Sequence, residues 1–372
     1  MFTPGNLNHV NKRNLVLIVS PIRSFFFSTL VLIISTGGFA KMAYSSDTCH
    51  AGTASEILSN FCLLENLQRG GRSLNELITI SQRLSLIGYK HQFGELSIPV
   101  SKYLRATNLT PSFEFSPNTN GGNPKGTLVL GDIQLSGDKS RTKREGILLG
   151  MGVRDQGRFL TGHSSFINYD TNIRFSFSPE HGDRQFSLAS EICGTHHAGN
   201  WWYWETCLNG QKSYKILQTT NQSSIHVKSS KTFHGIGNIY HQFSTGLNRI
   251  RTGDYAQYQT SVSLETIHSK ILHSKFKLTL GERITDEMAL QKAFDGSLTL
   301  RLRNRPVTLS AGYERQDGGQ LFGRGRYDEI TRFGLSFPLS HNAFMSISRH
   351  EVSSSISYFS ETNTSIRVSI FN

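Results

Sequence analysis

From about Thr110 onward the chain repeats one pattern, and that pattern limits the possible folds more than any other feature. Ile173, Phe175 and Phe177 alternate with Arg174, Ser176 and Ser178, and Val307, Leu309, Ala311 and Tyr313 alternate with Thr308, Ser310, Gly312 and Glu314. The same period of two runs through 258–266, 276–280, 298–303 and 366–370. Such a segment is a strand with one apolar and one polar face. Repeated along the chain, it is what a barrel in lipid around a water-filled lumen requires. A soluble sandwich alternates too, with its polar face on solvent, so periodicity alone leaves both open.

The connections separate the two. Strands are expected near 296–303, 307–314, 328–337, 343–350 and 364–371. The links at 303–306 and 338–342 are short, and those at 316–327 and 351–363 are long and rich in glycine or polar residues. Short and long links in turn are the habit of an up-and-down outer-membrane barrel, and a Greek-key sandwich has no reason to follow it. At barrel spacing the segment 110–372 holds about 14 strands. Ile366, Val368 and Ile370 alternate with Ser365, Arg367 and Ser369 and form the closing strand, although Phe371 falls on the opposite face from the three apolar positions.

Composition agrees with this. Mean hydropathy is −0.31, which excludes a bundle of apolar helices but not a barrel, whose strands are apolar on one face only. The net charge of +12 is scattered among strands and loops. That argues against nucleic acid and leaves lipid headgroups, an anion-selective pore or a generally solvated surface.

At the N-terminus, Lys12, Arg13 and Arg23 precede an apolar run from Phe25 to Ile34, and Ser35-Thr36-Gly37-Gly38-Phe39-Ala40 follows. This order describes a secretory signal peptide, 1–40, cut after Ala40. An uncleaved anchor is the rival, but the run is short of the ~20 residues a spanning helix needs. Cys49, Cys62, Cys193 and Cys207 all lie beyond the cut. Two disulfides between neighbours, Cys49–Cys62 and Cys193–Cys207, are expected in an exported chain. Zinc at Cys193, His196, His197 and Cys207 lacks the paired spacing of a structural site, so no metal and no cofactor is expected.

The segment 41–109 reads differently from the rest. Ile57, Leu58, Phe61, Leu64 and Leu67 recur at helical spacing. After Gly70-Gly71 comes Ser73-Leu74-Asn75-Glu76, a capping box, in which serine and glutamate satisfy free amides at a helix start. Leu74, Leu77, Ile78, Leu84 and Ile87 make a second apolar face, and Gly88 suits a helix end. The two helices are expected to pack as a small periplasmic hairpin, to sit as a plug in a lumen, or to serve as a partner-docking element.

Two stretches resemble the C-terminal barrel of surface lipoprotein assembly modifiers: 110–122 (TPSFEFSPNTNGG), similar to its opening strand and asparagine-rich first loop, and the closing hairpin from Ile347-Ser348-Arg349-His350-Glu351 through Ser355-Ile356-Ser357-Tyr358-Phe359 to the last strand. The resemblance implies a Gram-negative outer-membrane barrel with a helical-repeat domain before it, helping lipoproteins reach the cell surface. This chain has only two short helices in that place, so the resemblance carries the fold and no site residue.

Chemistry has one candidate. His163 and Ser165, two apart on a strand, project from one face as in outer-membrane lipid hydrolases, with Asn168 or Asp170 as orienting groups. His241–Ser244, at a spacing of three, and the His268-Ser269 and His273-Ser274 pairs, which are adjacent, fall on opposite faces. Trp201, Trp202 and Trp204, around Tyr203, form the densest aromatic cluster, expected in a structured outer loop as a girdle at the lipid–water boundary or as a sugar-stacking surface.

The expectation is therefore an all-β, up-and-down antiparallel transmembrane β-barrel of about 14 strands, preceded by a short α-helical segment. It would be a porin-like channel or an export and surface-display factor in the cell outer membrane, its partners being membrane lipid with small solutes or an exported lipoprotein. A hydrolase using His163 and Ser165, and a secreted soluble β-protein binding glycans through Trp201–Trp204, are the alternatives.

Overall fold

Alternation becomes a closed ring in the computed structural model, which describes residues 49, 54–69, 74–89, 103–130, 133–162, 164–253, 255–269, 271–302, 305–340 and 342–370. The proposed leader, Ser73 and Phe371 lie outside them. Among the described residues two helices, α1 (Glu56–Arg69) and α2 (Leu74–Leu86), precede sixteen strands. β1 is Tyr103–Ser116, and β2 (Thr127–Leu130) and β3 (Ile133–Ser136) form a separate hairpin. β4 to β9 are Gly146–Leu160, Ser165–Phe177, Arg184–Gly199, Trp202–Lys215, Gln218–His234 and Tyr240–Thr252. β10 to β16 are Tyr255–Ser269, Leu272–Gly281, Ala289–Leu302, Arg305–Leu321, Arg324–Pro338, Ala343–Ser354 and Glu361–Ile370.

β1 and β4 to β16 pair in sequence order, all antiparallel, and β16 closes on β1. Fourteen strands thus leave no sheet edge along the ring. The closing register sets Phe113 opposite Val368 and Phe115 opposite Ile366, while Glu114 meets Arg367, which donates from Nε to the carboxylate at 2.7 Å.

The inner face is identified by what it touches. The start of α1 reaches Arg158 on β4 and also Gln242 and Glu265 on β9 and β10, far around the ring, so the helices lie within it. The face carrying Arg158, Gln242 and Glu265 is therefore the lumen wall. The alternate face carries Phe175, Leu208, Leu247, Val262, Leu280, Leu309 and Phe333, large apolar side chains left exposed all round the outside. A soluble sandwich would bury them.

The connections differ from the expected alternation. Residues 316–327, expected as a long loop, continue β13 and β14 as a ladder to a two-residue turn, Phe322-Gly323. Glycine and charge lower strand propensity there, but cross-strand hydrogen bonding and a bulge between Asp317 and Gly319 override it. Likewise β15 and β16 shorten the expected 351–363 loop to residues 355–360. At that end of the ring the links 216–217 and 253–254 are short as well; the first link, 117–145, is the long one. We call this the loop end and the opposite mouth, where the helices sit, the plugged end.

Candidate functional site

The lumen is the candidate site, and its two mouths are built differently. At the plugged end, Ser55 caps α1, its hydroxyl accepting from the amide of Leu58 at 3.3 Å. α2 ends in a Schellman turn: the Tyr89 amide donates to the Leu84 carbonyl at 2.9 Å and the Gly88 amide to that of Ser85 at 3.2 Å, with Gly88 at φ +70°. Leu58, Phe61 and Leu64 from α1, with Ile80, Leu84 and Ile87 from the second helix and its end, form one buried cluster with Phe166, Trp201, Tyr203, Tyr240 and Ile267 of the barrel wall. Both helices thus pack against the lumen wall at this mouth. Burying each large side chain there is worth roughly 1.5–3 kcal/mol.

Polar contacts set its orientation. Arg158 pairs with both carboxylate oxygens of Glu56 at the start of α1, at 2.6 and 3.0 Å, and donates to the Leu86 carbonyl at the end of α2 at 3.1 Å. Its Nε donates to Asn168 at 2.7 Å and its guanidinium lies 4.6 Å from the Phe166 ring centre. One side chain thus holds a helix start and a helix end. Across the ring, Glu265 accepts from the Ser55 amide and faces the buried His273 at 3.1 Å, and Gln242 accepts from the Ser55 hydroxyl. Tyr89 stacks on Trp201 with ring centres 4.2 Å apart, and burial pushes its phenol pKa up.

At the loop end, the asparagine-rich stretch folds on itself and then on the barrel. The Asn118 side chain accepts from the amides of Gly121 and Gly122, and that of Asn120 accepts from Gly122 and Arg144. Gly121 has φ +75° and lies so near the wall that an added Cβ would stand 2.8 Å from Gln218, so any other residue there would be strained and would have to displace the wall. Thr119 donates to the buried Asp183 at 2.6 Å, Lys215 to the Asn118 carbonyl at 3.2 Å and Lys143 to Asn363 at 2.9 Å. The first link therefore reaches from β16 to the β7–β8 turn and roofs part of that mouth.

Between the mouths, the wall of β4 to β8 carries a cavity of about 430 Å³ lined by Arg154, Asp170, Asn172, Glu191, Asn209 and Gln222, among others. Four of the lumen's bases pair with acids across neighbouring strands: Arg154 with Asp170, Lys228 with Glu205, Arg332 with Glu314 and Arg367 with Glu114. What such a wall can do is hydrogen-bond polar solutes and water.

The residues singled out from sequence are distributed as follows. Ser165 lies on the outer face of β5, and His163 is outside the described residues. The imidazole Ser165 meets belongs to His196, its direct partner on β6, with Nδ1 2.8 Å from the hydroxyl. Asn168 and Asp170 cannot orient that pair, because both point into the lumen and bind Arg158 and Arg154. The expected tryptophan cluster is split: Trp201 is turned inward at 7 % exposure, while Trp202 and Trp204 stand outside at 43 and 48 %. It occupies no long outer loop. Asn200 and Trp201, both at positive φ, make the two-residue turn at the plugged end, so the three rings share no sugar-stacking surface. Cys49–Cys62 and Cys193–Cys207 are the disulfides. The second joins directly paired residues of β6 and β7 rather than pinning a loop, which leaves neither sulfur as a thiolate ligand. Arg158, Glu265 and Tyr240 escaped the sequence reading, since a lumen residue that meets the plug looks like any other alternating position.

No protein-family model and no curated protein matches the sequence, so the resemblance to surface lipoprotein assembly modifiers gains nothing from either. Solved structures of similar shape include OccAB3 of Acinetobacter baumannii (6% identity, TM-score 0.39, 73% of this chain and 100% of that one). OmpF of Salmonella typhi in complex with daunomycin is another (8%, 0.43, 72% and 97%), as is the KdgM porin (10%, 0.30, 50% and 96%). Likenesses this distant say nothing about function, and the fold rests on the ring of pairings itself.

Proposed function

We propose that the chain is an outer-membrane channel for small polar solutes, held closed at one mouth by its N-terminal helix pair. The observation that carries this is the closed ring with large apolar side chains outside and paired charges, amides and hydroxyls inside. Such a wall is stable in hydrocarbon and wet within. The helix pair fills the mouth through Arg158, Glu265 and the aromatic cluster, with no disulfide joining it to the barrel. Undocking it needs only the loss of non-covalent contacts.

Conductance in planar lipid bilayers tests the reading. The wild type is expected to conduct rarely, and Arg158→Ala, which frees both helix ends, to raise the open fraction strongly. The proposal fails if Arg158→Ala, still running faster on gels unheated than boiled, passes no current.

A further inference from the structure

The charge of +12 has a location. In the lumen Arg154, Arg158, Lys228, Arg332 and Arg367 are matched by acids. Outside at the plugged end Arg105 is held by Asp155 at 2.9 Å and Lys231 by the Asn200 carbonyl. At the loop end the outer wall is different. Lys212 on β7, Arg249 and Arg251 on β9, Lys292 on β12 and Arg315 on β13 all fall on the lipid-facing alternation. Arg249 is the direct partner of the exposed Tyr258, and Lys292 that of the exposed Leu280. Among the described residues, no carboxylate lies within 4.0 Å of Lys212, Arg249, Arg251 or Lys292, and Arg315 has only Asp317 and Glu329 at 4.0 Å.

Two features make this more than scattered surface charge. Lys292 and Arg315 are direct cross-strand partners, an arrangement that costs stability unless an anion sits between them. Three of the bases also rest against tyrosine rings of neighbouring strands: Arg249 at 5.6 Å from Tyr258, Lys292 at 6.0 Å from Tyr313 and Arg315 at 5.1 Å from Tyr327. A ring beneath a cation orders its stem and keeps the charge at the level where an amphipathic tyrosine lies, the headgroup layer.

We propose that this arc, from β7 to β13 on the outer wall, binds the phosphate groups of anionic lipid in the leaflet at the loop end. It rests on the reading of the outer wall as lipid-facing. Phosphate fits because it accepts several charge-assisted hydrogen bonds at once and can bridge two cations that otherwise repel. The arc holds the barrel at a fixed depth and gives its two ends different lipid surroundings.

The experiment measures lipid retained by the full chain after gel filtration in neutral detergent containing either phosphatidylglycerol or phosphatidylcholine. The wild type is expected to retain the anionic lipid several-fold more. The variant Lys212→Gln/Arg249→Gln/Arg251→Gln/Lys292→Gln is expected to lose that preference, and Arg105→Gln, at the other end, to keep it. If the fourfold variant does not close its ring, as judged by gel mobility, Arg249→Gln and Lys292→Gln singly carry the test, each with a partial loss. Equal retention by wild type and variants overturns the proposal, and so does displacement of the lipid by inorganic phosphate at equal concentration, the mark of a free-phosphate site. Neither result touches the channel reading, which stands or falls on conductance.

Discussion

Trp201 shows how a single residue can join two jobs that the sequence lists separately. It occupies a turn position at φ +58°, where a bulky side chain costs roughly 1–2 kcal/mol, yet its ring is packed between Phe61 at 4.9 Å and Tyr89 at 4.2 Å. The packing offsets the turn's strain. Trp201→Gly should therefore leave the β6–β7 hairpin intact, since glycine suits the turn, while loosening the plug. The expected outcome is faster protease cleavage within 54–89 with an unchanged heat-dependent gel shift. Gly88 is the complementary case: a Cβ there would meet the Ser164 backbone at 2.9 Å in addition to the positive φ. Gly88→Ala is expected to act like Arg158→Ala and raise conductance.

At the scale of elements, the segment leading into α1 and the β6–β7 hairpin are each closed by a disulfide of similar span, 13 and 14 residues apart. Cross-linking loops of this size is worth about 3 kcal/mol in the chain-entropy picture. The consequences differ because the contexts differ. Cys193 and Cys207 sit in a hairpin already laddered by hydrogen bonds to β5 and β8, so Cys193→Ser/Cys207→Ser should lower the temperature at which the folded gel band converts without opening the pore. Cys49 and Cys62 are both fully buried and Asn66 donates to Cys49 at 3.0 Å. Their bond shapes the start of the plug, and Cys49→Ser/Cys62→Ser should raise the open fraction while leaving the barrel's thermal conversion in place.

For the whole molecule, the relevant contrast lies between total charge and its placement. A strongly basic chain suggests anion selectivity, yet four lumen bases, Arg154, Lys228, Arg332 and Arg367, pair with carboxylates on adjacent strands. Paired charges of both signs leave little net field along the axis to sort ions. Once the plug is released, the ratio of chloride to potassium permeability, read from the reversal potential in a salt gradient, should be close to unity. A strong preference for chloride would show that the lumen bases act unpaired in solution.

Period-two alternation determined by itself that these segments are strands with one apolar and one polar face, because a one-residue shift would turn every apolar side chain of a strand to the other side. Barrel or sandwich was decided by the pairing of β16 with β1. The helices were legible for the same local reason: Leu58, Phe61 and Leu64 recur at helical spacing, and Gly88 stands where a helix can end. The connections misled. The glycine-rich segment 316–327 has the composition of a loop, but ladder hydrogen bonds from the neighbouring strand outweigh propensity. What the tertiary structure alone decided is every relation across the ring: that Ser165 meets His196, that Arg158 clasps both helices, and that Lys292 and Arg315 face one another on the outer wall. Those contacts join residues whose spacing along the chain carries no period, and only closure of the sheet brings them together.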